Sequence, residues 1–230
     1  MNRNYFIVGL VMFVFFVISF LTNIIGPLMT TIIDDFELSL TMAGFLSFAF
    51  FIAYGVFSIP SGVMIERYGE KKIMVWAFFM SFVGAVSLAL YPGYLMLLVS
   101  LFFIGAGMAM LQVAINPLLR TAGGEEHFAF NSVMAQMFFG LASFLSPEVS
   151  SYLITNLDQR DTDLNFFLDA LSRVVPENLS WISIYWLFAI ISLLMVVVVK
   201  YSKMPSHTLF CVKVPSTSKN AAFIIIQPAC

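Results

Sequence analysis

Apolar residues run in long blocks along this chain, and the charged residues collect in short clusters between them. Six blocks reach the roughly 20 residues that a helix needs to cross the hydrocarbon core of a bilayer. They cover residues 5–30, 42–65, 73–91, 94–119, 128–153 and 181–199. The pattern predicts an all-α polytopic membrane protein with six transmembrane helices. The first block is longer than a signal-peptide core and has no clear small-residue cleavage site, so it reads as a retained span. Between the fifth and sixth blocks, Leu164, Phe167, Leu168, Leu171 and Val175 recur at helical spacing. With Asp161 or Asp163 as cap and Pro176 as stop, they predict a short amphipathic helix on the membrane surface or over a cavity mouth.

The connecting clusters alternate in charge. Arg3, Arg67, Lys71, Lys72, Arg120, Lys200 and Lys203 fall on one side of the predicted bundle. Arg160 and Arg173 fall on the other, among Asp34, Asp35, Glu37, Asp158, Asp161, Asp163, Asp169 and Glu177. This bias predicts that both ends of the bundle are cytoplasmic. Composition agrees with a lipid setting, since 60% of residues are hydrophobic and 10% charged, against about 45–50% and 25% in soluble domains. A net charge of −2 gives no reason to expect a nucleic-acid partner. Cys211 and Cys230 stand near the end of the chain, and His127 and His207 are far apart. Neither pair supports a disulfide framework, a metal site or a cofactor. No nucleophile and base are placed by spacing, so no catalytic residues are expected.

The most distinctive stretch joins the second and third blocks: Gly62, then Glu66, Arg67, Gly69, Glu70, Lys71 and Lys72. Gly62 has no side chain to hold off another backbone, and Gly69 is free to take a positive φ in a very short loop. Glu66 suits the positive N-terminal end of a neighbouring helix, while Arg67, Lys71 and Lys72 hold the loop on the cytoplasmic side. In order and spacing this stretch resembles the loop between helices two and three of major facilitator transporters, with Glu70 at a position that is basic in the family pattern.

Polar residues inside the spans are few. Thr22, Asn23, Gly26 and Pro27 interrupt the first block, and Asn23 fits either a wet cavity or a structural bond. The second block carries a run of small residues from Ser47 to Gly62, with Tyr54 among them as a packing ring or a cavity hydroxyl. The fourth holds Gly105, Gly107 and Ala109, followed by Gln112, Asn116 and Pro117. Gln112 and Asn116 share one helix face, and Pro117 frees a backbone carbonyl one turn earlier. Two amides on one face serve either as interhelical glue or as a wall for a hydroxyl-rich solute, which needs groups that both donate and accept. Asn131 and the deeper Gln136 are the polar candidates of the fifth block.

The Ala-x-Asn-Pro run ending at Pro117 resembles the fourth helix of the fucose/galactose/glucose–proton symporter branch of the facilitators. Asn23 and Pro27, His127 with Phe128, and Ala135 with Gln136 are similar to other parts of that pattern. The resemblance implies half of a facilitator fold, two three-helix repeats, with Asn23, Gln112, Asn116 and Gln136 as substrate-binding residues. It also implies a multi-pass protein of a bacterial inner membrane, whose partners are a small solute such as a hexose, a coupling proton or other ion, and the bilayer. A complementary half or a second copy is a further expected partner. The family pattern has a glutamate at Gln112 and an aspartate at Asn23, and amides cannot titrate. Phe139 stands where another polar residue is expected. Residues 1–203 form the expected bundle and 204–230 an atypical tail, with Pro205, Pro215 and Pro228, that either a cytoplasmic linker or a truncated or shifted reading frame would explain. Two functions remain open: alternating-access transport of a hexose-type sugar, or a non-transporting membrane scaffold in which the amides only join helices.

Overall fold

The computed structural model describes residues 5–158, 166–172, 174, 175, 179–202 and 204. The tail beyond Met204, Arg173, Leu164, the caps expected at 161 or 163, the stop expected at 176, and the side chain of Phe167 lie outside the described residues. Eight α-helices follow in order: α1 Tyr5–Asn23, α2 Ile25–Asp35, α3 Leu40–Tyr68, α4 Glu70–Leu90, α5 Tyr94–Gly123, α6 Phe128–Asp158, α7 Phe166–Ser172 and α8 Ile182–Tyr201. No strand occurs among them. Taking α1 with α2, and α6 with the 3₁₀ turn Glu125–His127 before it, six helical units are long and apolar enough to cross a membrane.

Local chemistry explains the breaks. The first span divides at Ile24 because Pro27 has no N–H to offer the carbonyl of Asn23 one turn earlier. Ser39 caps α3 by accepting a 3.3 Å bond from the Met42 N–H. Gly69 ends α3 and starts α4 at φ 81°, the left-handed value expected of it. The short helix predicted before the last span is α7, whose Leu168 and Leu171 are buried, as is Val175 beyond it. It packs against α6 and α8.

The spans interleave as two triplets. The second span, α3, lies on the fourth, α5; reciprocally the fifth, α6, lies on the first, α1. The third and sixth, α4 and α8, pack together, and so do the first and fourth. This exchange is what two three-helix repeats related by a pseudo-two-fold produce. Close packing has a clear source at α5. A Cβ on Gly105 would strike the Phe50 backbone of α3, and one on Gly107 would strike Ser81 and the Ala77 carbonyl of α4. Lipid offers little hydrophobic force between helices, so such close backbone contact carries the packing.

Burial is uneven. In the most apolar stretch of α5, 61% of residues are buried, against 22% in α3 and 11% in α6. Phe45, Phe48, Phe51 and Ile59 on α3, and Phe130, Val133, Met137 and Phe144 on α6, project outward.

Candidate functional site

The amides predicted for the site fall into three settings. Gln112 is half-buried on α5, and the Tyr54 hydroxyl of α3 donates to its Oε1. Asn116, one turn on, is exposed and donates through Nδ2 to the Gln112 carbonyl at 3.3 Å. Pro117 continues α5 without a break, and its own carbonyl accepts from the Thr121 hydroxyl at 3.1 Å. Tyr54, Gln112 and Asn116 therefore form one linked set across the α3–α5 contact. The side-chain amide nitrogen of Gln112 and the Oδ1 of Asn116 have no partner among the hydrogen bonds of the described residues, so the set presents both a donor and an acceptor.

Asn23 stands at the break of the first span. Its Nδ2 donates to the Ser19 carbonyl at 2.8 Å and contacts Ser19 Oγ at 3.1 Å. It also lines a cavity of about 320 Å³ with Thr22, Gly26, Ser47, Phe50 and Phe51. Asn23 thus combines an intrahelical bond from its nitrogen with a place on a cavity wall. Phe50 belongs to that wall and stacks on Tyr54, with ring centroids 6.4 Å apart. Through these two rings α3 joins the Asn23 cavity to the Gln112 set. Gln136 is exposed on α6 and is not drawn into either group.

Residues that sequence reasoning passed over hold the first span to α6. Ser19 Oγ donates to the Phe139 carbonyl at 2.6 Å, and Ser146 Oγ to the Phe20 carbonyl at 2.9 Å. Serines in spans commonly bond back to their own helix, as Ser58, Ser61 and Ser81 do here. Sequence alone therefore had no signal separating Ser19 and Ser146 from them. Glu148, also passed over, had one: it is a carboxylate inside the fifth apolar block.

The loop motif keeps part of its expected chemistry. Gly69 takes the positive φ. Lys71 donates through Nζ to the Ser202 carbonyl at 2.7 Å, which sets a cation at the C-terminal end of α8. Two further residues of the motif stand clear of the bundle. No atom lies within 4 Å of a Cβ built on Gly62, so among the described residues it faces open space. Glu66 is exposed on the last turn of α3 and has no hydrogen bond or ion pair among those of the described residues; the buried acid at the start of α4 is Glu70. Arg67 is exposed as well. On the loop after α5, Glu125 pairs with Arg120 at 2.7 Å, both exposed, which fits a solvated helix start.

Comparison with known proteins agrees with this architecture. The chain is 28% identical over 174 residues to a glucose/galactose transporter of Brucella abortus biovar 1 (strain 9-941), covering 74% of this chain and 42% of that protein. It is 27% identical over 184 residues to an L-fucose-proton symporter of Escherichia coli (strain K12), covering 78% and 41%. A crystal structure of a major facilitator transporter, FucP, in the outward conformation superposes with a TM-score of 0.68 at 25% identity, over 86% of this chain and 50% of that one. The chain spans half or less of the length of these relatives. The family model described as Major Facilitator Superfamily matches residues 11–219; the chain is a multi-pass membrane protein and belongs to the Major Facilitator Superfamily.

Proposed function

We propose that this chain supplies one six-helix half of a secondary transporter that moves a hexose-type sugar by alternating access. The observation that carries the reading is the Tyr54–Gln112–Asn116 set on the α3–α5 contact. It offers neutral groups that both donate and accept, which suits sugar hydroxyls. The relatives named for glucose, galactose and L-fucose point to the same solute class. Galactose and L-fucose are therefore the first probes. Asn23, on its cavity wall, and Gln136, on the exposed face of α6, complete the set of candidate solute contacts. No bond is made or broken in such a cycle, so no catalytic group is required.

Binding sites of this fold lie between repeats and between halves. The outward-facing surfaces of α3 and α6 are where a complementary half, or a second copy, would close the site. A coupling ion belongs to the reading through the proton symporter among the relatives, but Asn23 and Gln112 are amides and cannot be its carriers. The bilayer of a bacterial inner membrane is the expected setting, with both ends of the bundle cytoplasmic.

Replacing Gln112 and Asn116 together by alanine tests the reading. A sugar wall predicts that galactose or L-fucose binding by the chain in lipid nanodiscs falls at least about tenfold, equivalent to roughly 1.4 kcal/mol, while the thermal midpoint holds. Loss of folding with no separate effect on binding would favour the scaffold reading, in which the amides are glue.

A further inference from the structure

Within the spanning helices and away from their first and last turns, the described residues include a single Asp, Glu, Lys, Arg or His: Glu148 of α6. It is exposed, and it makes no hydrogen bond or ion pair among those of the described residues. A carboxylate at this depth is costly against lipid and belongs against protein or water. Its surroundings are polar. Glu148 lines a cleft of about 450 Å³ between α2 and α6 with Pro27, Thr31, Ser151 and Thr155.

The exposed stripe of α6 changes character at this residue. Phe130, Met137, Leu141 and Phe144 recur along it at helical spacing, and then Glu148, Ser151 and Thr155 continue the same stripe. The cleft is also held in place. Ser146, two residues before Glu148, donates to the Phe20 carbonyl of α1 at 2.9 Å, and Ser150 donates to the Pro147 carbonyl at 2.8 Å. Charged groups on the elements packed against α6 stand at helix ends. Asp34 and Asp35 close α2, Asp169 lies on α7, and Arg120, Glu125, Glu126, His127 and Lys200 stand toward the opposite end of the bundle. Thr31 is eight residues beyond Asn23, and Glu148 is twelve beyond Gln136. At 1.5 Å per residue the cleft lies about 12–18 Å along the helix axes from the amide level.

We infer that the α2–α6 cleft is an aqueous mouth of the solute pathway, and that Glu148 contacts a hydroxyl-rich solute there before it reaches the amides. A carboxylate accepts from two neighbouring hydroxyls, and the Thr31, Ser151 and Thr155 hydroxyls donate or accept as needed. This rests on the sugar-transport reading, and the test separates the two.

The experiment is thiol labelling of the full chain in membrane vesicles with a charged, membrane-impermeant reagent, after Cys211→Ser and Cys230→Ser. Single cysteines are placed by Glu148→Cys, Ser151→Cys, Phe144→Cys and, on the wall of the Asn23 cavity, Ser47→Cys. The expected result is that positions 148 and 151 react at least about tenfold faster than 144, and that galactose or L-fucose slows position 151, where Glu148 is intact, at least about threefold. Protection at Ser151→Cys is read with Glu148 in place, so Glu148→Leu in that background should abolish it; this arm also stands if Glu148→Cys fails to fold. Equal slow rates at 144, 148 and 151 would overturn the aqueous mouth. Fast labelling at 148 and 151 without protection at 151, with Ser47→Cys protected, would overturn the role of Glu148 and leave the sugar reading intact. Absence of protection at both levels would overturn both.

Discussion

The α3–α5 and α1–α6 contacts occupy equivalent places in the two repeats, yet they are built from different chemistry. The α3–α5 contact is a backbone approach, made possible by Gly105 against Phe50 and fastened by Tyr54 on Gln112. The α1–α6 contact is stitched by serines, Ser19 to the Phe139 carbonyl and Ser146 to the Phe20 carbonyl. The first closes by removing volume, and the second by adding a hydrogen bond in a medium that offers no water as a substitute. Pseudo-symmetry therefore conserves which helices meet without dictating what holds them.

The difference yields graded predictions. Gly105→Ala should have the largest effect, because the new methyl meets backbone that cannot rotate away. Overpacking of this kind costs about 1–3 kcal/mol, visible as a lowered thermal midpoint in detergent, and Gly105→Leu should cost more. Gly62→Ala is the matched control. With open space around that position, its midpoint should stay within about 0.5 kcal/mol of the parent. Equal losses at both glycines would break the comparison.

Ser19→Ala and Ser146→Ala should each cost about 0.6 kcal/mol, the mean for interhelical hydrogen bonds in membranes. Thermal denaturation of the single and double variants checks this; no loss in the double variant would mean that the α1–α6 contact is held by apolar packing alone. Smallest of all, Lys71→Met removes a cation from the end of α8. A loss of about 0.3–1 kcal/mol is expected, shrinking as salt is added.

Much of the bundle was legible because membrane spans announce themselves by length, and because proline and glycine act locally. The break before Pro27, the positive φ of Gly69 and the close face of Gly105 and Gly107 all follow from single residues. What stayed hidden depends on a second helix. Gln112 was readable as a polar group in a span, but its link to Tyr54 exists only once α3 lies on α5. Gly62 and Gly105 look alike in sequence, and only tertiary packing separates the one facing open space from the one facing Phe50. Glu148 is the opposite case, since a lone carboxylate within an apolar block is visible without any structure.

The central claim is that the Tyr54–Gln112 pair holds an amide in place for a sugar. A double-mutant cycle on galactose and L-fucose binding tests it most directly, with Tyr54→Phe, Gln112→Ala and the two combined, in nanodiscs. Residues acting through one bond are not additive. The account predicts that each single variant weakens binding, and that the double variant binds no more weakly than Gln112→Ala alone. Independent, additive losses would contradict the pairing, and unchanged binding in all three variants would contradict the site itself.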